Sequence, residues 1–173
     1  MTDDRLVELE RRDGVALVTL ADPGKRNMLS DAMVADLLGV LDEVEGASDL
    51  GALVVTGAPP AFCAGANLGN LNRAGEGARR EGGSGQASGL RGIYEAFLRV
   101  SRCPLPTVAA VNGAAVGAGM NLSLACDVRV AARSARFDTR FLELGLHPGG
   151  GHTWMLQRAV GHQTALAMVL FGQ

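Results

Sequence analysis

Two glycine-rich stretches constrain this chain more than any other feature. They are Ala61-Phe62-Cys63-Ala64-Gly65-Ala66-Asn67-Leu68 and Ala109-Ala110-Val111-Asn112-Gly113-Ala114-Ala115-Val116-Gly117-Ala118-Gly119-Met120-Asn121. Each follows a short apolar run and is expected to lead into a helix. Residues this small let backbone N–H groups reach a ligand with no side chain in the way. Two such N–H groups aimed at one point form an oxyanion hole, which stabilises negative charge on a carbonyl oxygen. That indicates a reaction class before any acid or base has been located.

Composition narrows the setting. The 173 residues suffice for one domain with a real core, and a single domain over 1–173 is expected. Hydrophobic residues make up 47% and aromatic residues only 4%, so the core must rest on Ala, Val and Leu. The net charge is −2, and no basic run extends beyond pairs such as Arg79-Arg80, which argues against a nucleic-acid partner. Cys63, Cys103 and Cys126 are odd in number and irregularly spaced. They fit buried, reduced thiols of a cytoplasmic protein better than a disulfide framework. Met1-Thr2-Asp3-Asp4 is acidic with no apolar run after it, so no signal peptide is expected. No stretch is long and apolar enough to suggest a membrane span. At the other end a helical run stops at Gly172-Gln173, where a cap would open a further element. The chain is therefore expected to be a truncated form of a longer one.

Patterning then places the elements. Leu6 to Glu10 and Val15 to Leu20 read as paired strands joined by an Asp13-Gly14 turn. Ser30 is a candidate N-cap for a helix running to about Glu45, with Met33, Leu37, Leu38, Leu41 and Val44 on one face. Ala52 to Thr56 reads as a buried strand. Residues 74–89 are rich in glycine and charge, and read either as a disordered loop or as a lid. An amphipathic helix is expected over Leu90 to Arg102, ending before Pro104. A strand follows at Thr107 to Val111, a buried helix at Gly117 to Cys126 and a strand at Asp127 to Ala131. Helices are expected over His152 to Val160 and His162 to Phe171. Strands joined by helical crossovers make this an α/β fold.

Taken together, Asp22-Pro23 through Asn27, Ala61 to Leu68, Thr107 to Asp127 and Leu144 to Gly151 resemble, in order and spacing, the crotonase superfamily (enoyl-CoA hydratase/isomerase). The resemblance implies a crotonase-like ββα spiral (the ClpP/crotonase fold), C-terminally truncated. It implies an acyl-CoA ligand, with coenzyme A as part of the substrate and no separate cofactor, and lyase or isomerase chemistry in fatty acid metabolism. It also implies a homotrimer or a dimer of trimers. Carried over residue by residue, the oxyanion-hole N–H groups fall on Ala66 and Ala118; the family more often has Gly at position 118, and the Ala methyl would narrow the pocket. Backbone groups of Ala64, Gly65, Asn67 and Leu68 resemble the adenine-binding stretch. Lys25 and Arg26 sit where the family places cations near the CoA phosphates, although a solvated surface pair is the other reading.

The pattern breaks at the acids and bases. Hydratases of this family use two glutamates, and Asn121 and Phe141 occupy those positions here. Asn121 can donate or accept hydrogen bonds but cannot act as a general base. Phe141 reads as apolar wall. Glu143 and Asp138 are possible stand-ins, or partners in surface ion pairs. Gly149 falls where some isomerases and dehalogenases of the family carry an aspartate. His147 and His152 are five apart and no carboxylate completes a metal motif, so no metal is expected. His152 lies in a first helical turn, where the positive dipole end disfavours a charged ring. It reads as a neutral hydrogen-bonded histidine or as an acid/base near the pocket. Two functions follow: an acyl-CoA-binding protein that polarises the thioester carbonyl, or a catalytically inactive acyl-CoA binder.

Overall fold

The computed structural model describes residues 5–66 and 87–173. Eight strands occur among them: β1 (Val7–Arg12), β2 (Val15–Leu20), β3 (Ala52–Gly57), β4 (Ala61–Cys63), β5 (Thr107–Val111), β6 (Ala114–Val116), β7 (Val128–Ala131) and β8 (Arg136–Asp138). Five helices accompany them: α1 (Asp31–Glu45), α2 (Ala87–Ser101), α3 (Ala118–Ala125), α4 (His152–Val160) and α5 (His162–Phe171). Asn67, Leu68 and residues 74–86 of the glycine-rich segment lie outside the described residues. The last three residues of that segment, 87–89, open α2, which begins before the expected Leu90.

The main sheet has the order β1-β2-β3-β5-β7. Only the β1–β2 pair is antiparallel; the remaining neighbours are parallel. The hairpin turn is Asp13-Gly14, with φ of 51° and 77°, the left-handed pair that a two-residue turn favours. Along β2 and β3 the pleat buries alternate residues, Ala16, Val18 and Leu20, then Leu53 and Val55. Met33, Leu37, Leu41 and Val44 of α1 share one core with this face, and Ile93, Phe97 and Val100 of α2, which packs on α1 and α3, complete it. The Ser30 side chain caps α1 by accepting a hydrogen bond from Met33 N at 3.2 Å. Leu38, expected on the apolar face, is only half-buried, and Val34 and Val40 are buried instead. A carboxylate ties β5 to β7: Asp127 Oδ2 accepts from Thr107 N and Oγ1, both at 2.8 Å. Those bonds hold its carboxyl below the usual range because they favour the charged form.

The second sheet, β4-β6-β8, is wholly parallel and absent from the sequence reading. Its strands have three residues each, too few for an alternation to show. Between the sheets runs α3, every residue of which is buried. Such a helix can sit there only if its backbone approaches its neighbours closely. Gly119 provides that approach: a Cβ at this position would lie 2.8 Å from the carbonyl carbon of Cys63 and closer still to its oxygen.

Gly119→Ala is therefore expected to lower stability by about 3 kcal/mol, at the upper end of overpacking costs, because backbone cannot rotate away. Gly39 in α1 has nothing within 4 Å of a built Cβ. Gly39→Ala is expected to stabilise by about 0.5–1 kcal/mol through helix propensity. Urea unfolding of the two variants checks both signs.

Candidate active site

All three strands of the small sheet deliver their next residues to the same edge. β4 runs into Ala64-Gly65-Ala66, β6 into Gly117-Ala118, and β8 into Thr139-Arg140-Phe141. Parallel strands place their C-terminal ends together, which is where α/β sheets form a crevice. The cavity there is ≈ 740 Å³. It brings together Ala64, Gly65, Ala66, Ala118, Asn121, Phe141 and Gly149 of the expected site residues. Gly65 has φ of 93°, and a Cβ on it would meet Val116 O at 2.5 Å and Ala118 N at 3.5 Å. The two glycine-rich turns thus touch backbone to backbone. Ala118 is the first residue of α3, so its N–H has no acceptor within the helix. It also lies at the partially positive end of the helix dipole.

Beside this edge sits the loop from Asp22 to Asn27. Ala64 N donates to Arg26 O at 3.0 Å, and Leu29 N donates to Gly65 O at 2.8 Å. Buried Asn27 fixes the loop: its Nδ2 donates to Ala58 O and Ala61 O at 2.8 Å, and its Oδ1 accepts from Asp22 N at 3.0 Å. Lys25 and Arg26 are exposed and do not line the cavity. Lys25 pairs with Asp22 at 3.7 Å.

Asn121 and His152 form a buried polar pair, 1% and 0% exposed. Asn121 Nδ2 donates to Gly149 O at 3.2 Å. The amide oxygen therefore faces His152, whose Nδ1 lies 2.6 Å away. That oxygen can only accept, so Nδ1 carries the proton and the neutral ring leaves Nε2 bare. Nε2 is buried and without a hydrogen-bond partner. Burial pushes the His152 pKa from 6.5 down to about 4. Desolvation, rather than the helix dipole, is thus the dominant cause of its neutrality. Its ring meets Phe141 edge-on with centroids 4.8 Å apart, and Phe141 forms part of the cavity wall.

The possible stand-in acids lie elsewhere. Glu143 is in a short 3-10 turn and pairs with Arg140 at 3.0 Å; Asp138 also pairs with Arg140. Neither lines the cavity, and no carboxylate does among the described residues. A residue that sequence reasoning missed is Tyr94 of α2, which does line it. A Cβ on Gly149 would fall on the Tyr94 hydroxyl, with Cζ at 3.0 Å. Only the apolar periodicity of α2 marked Tyr94, so nothing separated it from the core. The cysteines are free thiols, and burial pushes Cys63 and Cys126 up to about 12, so neither is a nucleophile near neutral pH. No three His, Cys, Asp or Glu side chains gather into a metal-binding group among the described residues.

The depressed His152 pKa has a consequence for stability. Above pH ~6.5 both folded and unfolded chains carry the ring neutral. As pH falls toward 4, the unfolded chain takes a proton that the folded chain refuses, so stability drops by ~1.4 kcal/mol per pH unit, up to ~3 kcal/mol in all. His152→Asn is expected to remove that component between pH 6.5 and 4 in urea unfolding. In the unsubstituted protein the His152 ring resonance should stay at its neutral position from pH 8 to 5.

Comparison with known proteins agrees with this geometry. The family profile described as enoyl-CoA hydratase/isomerase matches residues 10–173. A probable enoyl-CoA hydratase of Mycobacterium tuberculosis is 56% identical over 158 residues, which cover 91% of this chain and 59% of that protein. The 1,2-epoxyphenylacetyl-CoA isomerase of Escherichia coli is 38% identical, with 92% and 60% covered. The crystal structure of an enoyl-CoA hydratase from Polaromonas matches with a TM-score of 0.83 at 34% identity, covering 96% of this chain and 63% of that one. The chain thus spans about three fifths of the length of these relatives. Its two-sheet α/β architecture, with a cavity where two glycine-rich turns meet, is that of the crotonase fold, and the chain belongs to the enoyl-CoA hydratase/isomerase family.

Proposed function

We propose that this chain binds an acyl-CoA thioester with its carbonyl oxygen between the backbone N–H groups of Ala66 and Ala118. The observation that carries this reading is that both residues line one cavity, where a Cβ added to Gly65 would come within 3.5 Å of Ala118 N. Donors fixed on a strand end and a helix start need no reorganisation when charge develops on the thioester oxygen. Each such donor is typically worth ~3–4 kcal/mol at a transition state. Lys25 and Arg26 extend the reading to the CoA phosphates: their loop is hydrogen-bonded to Ala64 and both cations are exposed. Assembly as a homotrimer or dimer of trimers belongs to the same proposal, with support from exposed Trp154, Leu170 and Phe171. A cytoplasmic location fits three free thiols. No described helix is long and apolar enough to cross a membrane.

A second reading, a binder that performs no chemistry, is favoured by one specific observation. The described cavity lining holds Asn121 and Phe141 and no carboxylate. Ordinary two-glutamate hydration has no residues to run on there.

Ala118→Pro separates binding from polarisation. Proline is tolerated at a first helical position and removes the N–H. Acetyl-CoA labelled with carbon-13 at its carbonyl is expected to bind the unsubstituted protein with a lowered C=O stretching frequency. In the variant that shift should shrink markedly at a similar melting temperature. Turnover of any thioester should fall about 100-fold or more if the protein is a catalyst. Crotonyl-CoA hydration at the rate of ordinary hydratases by the unsubstituted protein would contradict the assignment of Asn121 and Phe141.

A further inference from the structure

We propose that His152 is a positioning residue that locks the Asn121 amide, and that Asn121 and Tyr94 together form an uncharged hydrogen-bonding end of the acyl pocket, suited to an acyl chain that carries a hydroxyl or carbonyl oxygen. This rests on the acyl-CoA reading above. Three observations carry it. Asn121 is held at both ends, by Gly149 O at 3.2 Å and by His152 Nδ1 at 2.6 Å. One Nδ2 hydrogen is left with no acceptor among the described residues, on a side chain that lines the cavity. The Tyr94 hydroxyl sits against Gly149, where a side chain at that position would have been. Both polar groups therefore flank a single residue.

Placement relative to the thioester follows from helix geometry. Asn121 is three residues beyond Ala118 on α3, and three residues rise about 4.5 Å. That is the reach from a carbonyl oxygen at the Ala118 amide to the second or third carbon of the acyl chain. The remaining polar side chains of the lining are Thr139, Arg140 and His147, and the first two are already engaged. Thr139 Oγ1 donates to Met168 O at 3.1 Å, Arg140 is paired with Asp138 and Glu143, and His147 is exposed. Met28, Ile93, Val116 and Leu146 supply apolar wall. A neutral oxygen on the acyl chain would find its partners at Asn121 and Tyr94, whereas the guanidinium of the lining, Arg140, is already paired with Asp138 and Glu143.

The test compares 3-hydroxybutyryl-CoA with butyryl-CoA by calorimetry. The unsubstituted protein should prefer the hydroxylated chain about tenfold, the value of one net hydrogen bond. Tyr94→Phe, Asn121→Leu and His152→Phe should each pull that ratio toward one. His152→Asn, which retains a donor where Nδ1 lies, should keep it. In an Asn121→Leu background, changing His152 should alter the ratio no further, a non-additivity that a merely structural histidine would not show. Because His152→Phe can fail to fold, the Asn121 side-chain amide resonances of the unsubstituted protein provide a second measurement. They should move on adding 3-hydroxybutyryl-CoA and much less with butyryl-CoA. Equal affinity for the two thioesters, or amide shifts indifferent to the hydroxyl, overturns this inference and leaves the acyl-CoA reading standing. No binding of either thioester overturns both.

Discussion

Parallel pairing of β4, β6 and β8 is the constraint on which the site depends. Three strands of three residues hold little stability of their own. They gain it from α3, which is buried along its whole length and seated on Cys63 through Gly119. Because the strands are parallel, whatever follows each of them emerges at one edge. The Gly65 turn, the Ala118 amide and Phe141 meet there without any of them being close in sequence. The glycines act here as space rather than as flexibility. A methyl group on Gly65 would strike Val116 O, and one on Gly119 would strike the Cys63 backbone. Enlarging either residue would push apart the turns that carry the amides of Ala66 and Ala118.

The buried pair behind this cavity carries no net charge. A carboxylate at position 121 would sit 2.6 Å or so from a buried imidazole and draw a proton onto it. A buried ion pair of that kind must recover a desolvation penalty of several kcal/mol. With Asn121 and a neutral His152 the same geometry holds with no net charge, and the ring stays neutral down to about pH 4. The amide at 121 and the histidine at 152 are thus two halves of one arrangement. The bare Nε2 is the cost of it, one buried lone pair without a partner.

Sequence reading reached the main sheet because its physics is local. The alternation in β2 and β3, the Asp13-Gly14 turn and the Ser30 cap each announce themselves within a few residues. The small sheet was invisible for the opposite reason: each strand has only three residues, too few to show an alternation, and its partners lie 22 to 53 residues away. Motif order still gathered Ala64, Gly65, Ala66, Ala118, Asn121, Phe141 and Gly149 as site residues, and the fold puts those seven on one cavity. Asn67 and Leu68 lie outside the described residues. Tyr94 stayed hidden because a tyrosine on the apolar stripe of a helix reads as core. The His152–Asn121 bond joins residues 31 apart, and no periodicity encodes that distance.

A cavity with fixed amides and no carboxylate in its described lining would do one half of what hydration requires. Oxyanion donors and proton-transfer groups contribute separately, the second typically by 10²–10⁴-fold. A site without acid and base would therefore lose rate without losing affinity or polarisation. A reaction that proceeds once the α-carbon is acidified, with the proton carried by solvent or by the substrate's own oxygen, needs only the half that the described lining retains. Asn121 and Tyr94 are suited to that division of labour: they can orient an acyl oxygen and stabilise it as it gains or sheds a proton, yet neither carries a charge near neutral pH. Burial raises the Tyr94 hydroxyl further from ionisation. On this view a described lining without carboxylates shifts the demand onto what the acyl chain must bring with it, and the pocket's selectivity and its chemistry become the same question.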